Sequence, residues 1–135
     1  MNTVGLNHFN ITAPYHLLER VRDFYVEVLG LTVGERPGFR RKGFWLYAAN
    51  EPIVHLTACD EADVRSQGES GLSFFDHIAF SCKGLLGVIE RLKQLNIPYE
   101  MVEITSLQQI QLFVRDPAGV GIELNFVDES VASKL

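Results

Sequence analysis

Residues 4–59 and 74–127 repeat one order of predicted elements, a strand, a helix and three shorter strands, with little literal identity between the copies. A duplicated β-α-β-β-β unit leaves few options, because each sheet has an apolar face to cover with its helix and a second face left over. In the first copy Leu6-Asn7-His8-Phe9-Asn10-Ile11-Thr12 alternates with period two, with Phe9 and Ile11 on one face and His8 on the other. After Ala13-Pro14, the residues Leu17, Val21, Phe24 and Val28 recur at helical spacing, and Gly30 is placed to end that helix in a left-handed cap. Strands are expected at Leu31 to Glu35, Phe44 to Ala48 and Ile53 to Ala58. The second copy opens with a strand over Phe75 to Cys82, then a helix with the stripe Leu85, Leu86, Ile89, Leu92 and Leu95, stopped by Asn96-Ile97-Pro98. Its last strands are expected at Tyr99 to Ile104, Ile110 to Arg115 and Gly121 to Phe126, the final pair joined by Asp116-Pro117-Ala118-Gly119. Residues 60–73 read as a polar linker and 128–135 as a polar, fraying tail. The predicted fold class is α+β, two paired modules in a single domain spanning residues 1–135.

The repeat also orders the chemistry. His77 follows His8 by 69 residues, and Glu123 follows His55 by 68, so polar positions in one copy fall on polar positions in the other. Each sits between apolar neighbours of opposite parity: Phe9 beside His8, Val54 and Leu56 around His55, Ile78 beside His77, Ile122 and Leu124 around Glu123. All four therefore face away from the helices. If the first and last strands of each unit are adjacent, their side chains are about 5 Å apart, close enough to share a metal. Imidazoles with a carboxylate suit one divalent ion of Zn, Ni, Co, Mn or Fe(II) better than the all-oxygen sites of calcium and magnesium. His16 lacks a repeat partner and reads as a surface residue.

Net charge of -5 argues against sequence-independent attraction to nucleic acid or an anionic membrane surface, and no apolar stretch approaches the roughly 20 residues needed to span a bilayer. A small-molecule partner is expected. Met1 to Thr12 has no basic start and apolar run of a signal peptide, which makes the cytoplasm the expected address, and Cys59 and Cys82 read as reduced structural thiols. Against the acidic balance, Arg36, Arg40, Arg41 and Lys42 form a basic loop, with Arg40 and Arg41 the candidates for holding an anionic substrate group. Asn10, Thr12, Thr57, Cys59 and Asn125 share the inner parity, and of these Asn10 and Asn125 are the further substrate-binding candidates. Trp45 with Tyr47, or Phe44 with Leu46, forms the pocket wall; parity does not choose between them.

Asn7-His8-Phe9, Phe24-Tyr25 followed by Leu29-Gly30-Leu31, Asp76-His77-Ile78-Ala79-Phe80, and Arg115-Asp116-Pro117-Ala118-Gly119 leading to Ile122-Glu123-Leu124 together resemble the vicinal oxygen chelate superfamily. That superfamily includes glyoxalase I, extradiol dioxygenases, methylmalonyl-CoA epimerase and fosfomycin-resistance proteins, and the likeness covers nearly the whole chain. It implies an open, mixed-sheet barrel and a metal that chelates substrate through two neighbouring oxygens. His8, His77 and Glu123 take the metal-ligand positions by that likeness; His55, where glyoxalase I proteins carry a carboxylate or amide, becomes a fourth ligand or a general base. The resemblance implies an enzyme with glyoxalase-like lyase or isomerase chemistry, with Glu123 or His55 moving the proton. An Fe(II) extradiol dioxygenase is the alternative, weakened by Phe113 where those enzymes often carry a tyrosine. A metal-free, antibiotic-sequestering protein is the third reading. Homodimers are common among such proteins, and the exposed sheet edges of open modules give a physical reason for one.

Overall fold

The computed structural model describes residues 1–2, 4–60 and 77–131. The expected linker beyond Asp60, the Phe75-Asp76 start of the second module and the last four residues of the tail lie outside the described residues. The chain divides into two compact units, Met1–Leu72 and Ser73–Leu135. In the first, β1 (Phe9–Pro14) leads to α1 (Tyr15–Glu27), β2 (Thr32–Gly34), β3 (Gly43–Ala48) and β4 (Glu51–Cys59). In the second, β5 (His77–Cys82) leads to α2 (Leu85–Gln94), β6 (Glu100–Ile104), a single 3-10 turn (Thr105–Leu107), β7 (Gln109–Arg115) and β8 (Gly121–Val127). The doubled β-α-β-β-β order is as the sequence predicts.

Each unit holds a four-stranded mixed sheet, ordered β1-β4-β3-β2 in one and β5-β8-β7-β6 in the other. The first strand of each runs parallel to the last, and the remaining pairs are antiparallel. Adjacency of first and last strands, which periodicity leaves open, is thus realised in both copies. The registers match as well: Asn10 pairs with His55 and Ala79 with Glu123, two residues beyond His8 and His77 respectively. On the antiparallel side Trp45 pairs with His55 and Phe113 with Glu123.

Three expectations are corrected. The first strand begins at Phe9, so His8 lies just before it. Continuing the β1–β4 register backwards reaches Ile53 and then Pro52, which has no N–H to offer. At the other end Ala13 and Pro14 belong to the strand, because the fixed φ of Pro14, -57°, with ψ 147° is itself extended. Secondly, Val21, Phe24 and Val28 are buried as expected, but the stripe of α1 opens on Leu18 and takes in Tyr25, while Leu17 is only half-buried. In α2 Leu85 and Leu92 are fully buried, but Leu86 stands exposed. Thirdly, the start of the tail is tied down: the Glu129 carboxylate accepts from the backbone N–H of Gly84 at 3.1 Å and of Leu85 at 2.8 Å, satisfying orphan donors at the start of α2.

The expected punctuation holds elsewhere. Gly30 takes φ 71° after α1, where its N–H reaches the Val26 carbonyl at 3.2 Å, a conformation that favours glycine. In the β7–β8 turn the Asp116 carboxylate, itself buried, accepts from Ala118 and Val120 N–H at 2.9 Å each. This turn sets the register that places Glu123 opposite Phe113.

Candidate functional site

Parity on the described strands works as alternation requires. On β4, Val54 and Leu56 are fully buried on the helix side, and on β8 so are Ile122 and Leu124 within about a per cent. The residues between them face the other way. In the second unit this leaves Glu123 only 9% exposed on the sheet's helix-free face, with Oε1 3.3 Å from His77 Nε2. Its other oxygen accepts from Gln111 Nε2 at 3.3 Å, so the carboxylate is held between a strand neighbour on each side. The Phe113 ring stands edge-on to His77, with centroids 6.4 Å apart, and a cavity of about 640 Å³ opens beside both.

The first unit arranges its pair differently. His8 and His55 stack face to face, with centroids 3.8 Å apart and planes within 13°, and Trp45 stacks on His55 at 4.1 Å and 12°. Two ring hydrogen bonds decide which nitrogens remain available. A ring N–H at His55 Nε2 donates to the Pro52 carbonyl at 3.0 Å, which leaves Nδ1 with its lone pair. His8 Nδ1 lies 2.6 Å from Asn7 Oδ1, an acceptor, which leaves Nε2 as the free donor atom. Burial pushes the pKa of His55 down from its ordinary value, the charge of His8 and Arg36 pushes the same way, and the Pro52 carbonyl opposes them. The result favours a neutral imidazole.

Among the described residues no group of three or more His, Cys, Asp or Glu side chains is gathered closely enough to hold an ion. The pairs can still be tested against metal geometry. Two donors bound to one ion at about 2.1 Å each lie roughly 3.0 to 3.4 Å apart for octahedral or tetrahedral angles. The His77–Glu123 separation of 3.3 Å fits that span. His8 fits as a single donor, with its second nitrogen engaged by a carbonyl oxygen in the way common among metal-bound histidines. His55 fits less well: imidazole lone pairs lie in the ring plane, and an ion cannot lie in the planes of two stacked parallel rings at once.

The substrate-binding candidates are placed as follows. The Asn10 side chain is engaged on both sides, accepting from Thr57 Oγ1 at 2.8 Å and donating to Thr12 Oγ1 at 2.7 Å. Asn125 Oδ1 is buried with no hydrogen-bond partner. Arg40 and Arg41 line a cavity of about 460 Å³ within the first unit, together with Trp45 and His55. Trp45, not Phe44, is the wall there; Phe44 packs on the helix side against Tyr15, 5.7 Å between centroids, and beneath the Arg22 guanidinium at 4.8 Å. Gln111 was not among the sequence candidates, although a signal for it existed, and one was also present for choosing Trp45 over Phe44. Gln111 alternates with Ile110 and Leu112, and Trp45 precedes Phe113 by the same 68 residues that separate His55 from Glu123.

The family profile described as Glyoxalase/Bleomycin resistance protein/Dioxygenase superfamily matches residues 5–124. The chain belongs to that superfamily. Solved structures agree on the fold of this superfamily member. A putative glyoxalase family protein from Bacillus anthracis is 21% identical, with a TM-score of 0.70 over 94% of this chain and 98% of its own. Lactoylglutathione lyase from Agrobacterium tumefaciens is 18% identical, with a TM-score of 0.61 over 93% and 96%. An antibiotic binding protein from a Streptomyces species is 17% identical, with a TM-score of 0.63 over 94% and 98%. At these identities the likeness is one of fold. No match to a curated protein sequence reaches significance. No helix among the described residues is long and apolar enough to cross a membrane.

Proposed function

We propose that this superfamily member is a divalent-metal-dependent enzyme of glyoxalase-like lyase or isomerase type, with His8, His77 and Glu123 as metal ligands and His55 as general base. The observation that carries the reading is the His77–Glu123 pair, two unlike donors at the separation of ligands on one ion. When bound, a Zn, Ni, Co, Mn or Fe(II) ion would supply Lewis acidity toward a substrate carrying neighbouring oxygens. Gln111 holds Glu123 in orientation through Oε2. His55, neutral and with Nδ1 bare, is suited to take a proton from a carbon beside a polarised carbonyl, and the Pro52 carbonyl fixes the ring that does so. Asn125, with an unsatisfied buried oxygen, is assigned to accept a substrate hydroxyl. The protein is proposed to work in the cytoplasm as a homodimer, measurable by light scattering.

A second reading, metal-free sequestration of a small aromatic compound, draws on the stacked His8–His55–Trp45 rings and on the shared fold of the Streptomyces antibiotic binding protein. Metal analysis of anaerobically purified protein separates the two. It is followed by assays for isomerisation of a 2-oxoaldehyde hemithioacetal and for catechol cleavage with oxygen uptake. Oxygen-independent turnover with bound metal supports the proposal; ring cleavage on Fe(II) replaces it with the dioxygenase, and absence of both metal and metal affinity sinks it.

A further inference from the structure

The 460 Å³ cavity of the first unit has a composition that neither the metal nor the base requires. Four of the chain's twelve basic side chains fall between positions 36 and 42 of a protein with net charge -5. Three of them, Arg36, Arg40 and Arg41, line the cavity, and its remaining walls include the rings of Phe39, Trp45 and His55. Among the described residues no carboxylate lies within ion-pair distance of these three guanidinium groups. Positive charge with no ion-pair partner among the described residues is costly unless water or an anionic group neutralises it.

Arg36 is the most informative of the three. Its Nε is buried and has no hydrogen-bond partner, an orphaned charged donor at the cavity. Its guanidinium carbon lies 4.9 Å from the centre of the Phe39 ring. A Cβ added at Gly43 would come within 2.9 Å of Arg36 Nη2 and would also meet the Leu56 carbonyl, so the absence of a side chain there makes the room in which the guanidinium sits. Arg41 is oriented by one bond, from Nη1 to the Ala58 carbonyl at 3.1 Å, which leaves its other N–H groups to a ligand. Arginine forks match planar oxyanions bidentately, and the aromatic walls offer flat apolar surface to a ring.

We propose that this cavity binds a planar, conjugated ring bearing an oxyanion, a carboxylate or a phosphate, with Arg36, Arg40 and Arg41 holding the anion and the ring lying against Trp45 and Phe39. This deepens the proposed function by naming a substrate class, and it places the ring beside His55. It also stands with the metal-free reading. Binding is therefore measured apart from turnover, so that failure here and failure of the metal proposal are distinguishable.

Trp45 is the chain's single tryptophan, so its fluorescence reports on this cavity alone. The protein as purified is titrated with benzoate, phenyl phosphate, benzamide and cyclohexanecarboxylate, following Trp45 emission and, independently, heat. The expected result is saturable binding of benzoate or phenyl phosphate, the stronger of the two identifying the anion, with benzamide and cyclohexanecarboxylate about tenfold weaker or worse. Arg36→Met should lose about tenfold or more. Arg40→Gln, on an exposed loop where folding is not at stake, should also weaken the anion but leave benzamide unchanged. Equal binding of benzamide and benzoate would remove the anion clamp, and equal binding of cyclohexanecarboxylate would remove the aromatic wall. No saturable binding of any probe, or unaltered benzoate binding in both variants, overturns the proposal.

Discussion

Replacing Gln111 by leucine should weaken metal binding without unfolding the protein. Gln111 does not belong to the proposed ligand set; its role is one bond to Glu123 Oε2, at 3.3 Å. Outer groups that orient a ligand typically account for 10- to 100-fold in metal affinity. A donor–acceptor distance of 3.3 Å is at the long end of the useful range, so the loss should sit near the lower figure, about tenfold or roughly 1.4 kcal/mol. Leucine is close to glutamine in size, and Gln111 is half-buried between Phe113 and Gln109 on its strand, so the sheet should tolerate it. The assay is competition for Zn or Ni against a chromogenic chelator, with thermal unfolding as the control. Glu123→Ala is the reference, since it removes the charge and both carboxylate oxygens together and should cost well over a hundredfold. Wild-type affinity in Gln111→Leu refutes the orienting role, and wild-type affinity in Glu123→Ala refutes the ligand assignment beneath it.

Two further outcomes test the fold. Leu46 is fully buried on the helix side of β3, so Leu46→Ala should cost about 2 to 5 kcal/mol in a urea titration, and an unchanged midpoint would mean that this face is not the core. Burial raises the Cys82 thiol above its ordinary 9.0, with the Glu129 charge adding to it and the Asn125 amide opposing. The stability that this group contributes is therefore full below the ordinary thiol range and falls as pH rises from there toward the folded value. In the folded protein at pH 8, Cys82 should alkylate with iodoacetamide at least about tenfold more slowly than in the urea-unfolded chain, followed by mass spectrometry; equal rates would contradict its burial.

Much of the architecture was legible because two periodicities recur in the same order twice. Period two on Phe9-Asn10-Ile11 and on Ile122-Glu123-Leu124, against helical spacing through Val21 and Phe24, separates strands from helices and assigns faces. Periodicity does not say which strands are neighbours. That required the registers Asn10–His55 and Ala79–Glu123, which depend on long-range pairing. The candidate residues were legible as pairs for the same reason, whereas their local geometry was not. Nothing in the spacing distinguishes a stacked His8–His55 pair from a converging His77–Glu123 pair, because that difference lies in side-chain torsions and in the partners Asn7, Pro52 and Gln111. The helix faces were legible through Val21, Phe24, Val28, Leu85 and Leu92, and departed only at single positions near the helix starts, where Leu18 replaces Leu17 and Leu86 is exposed. The basic loop was visible as charge, but its aromatic walls needed the fold.

The central claim is that His8, His77 and Glu123 bind a divalent metal, and equilibrium dialysis of Zn and Ni on wild type and on His77→Ala tests it most directly. The account predicts saturable uptake approaching one ion per chain by wild type, with affinity reduced more than about a hundredfold in the variant. No saturable uptake by wild type, or unchanged uptake by His77→Ala, would contradict it.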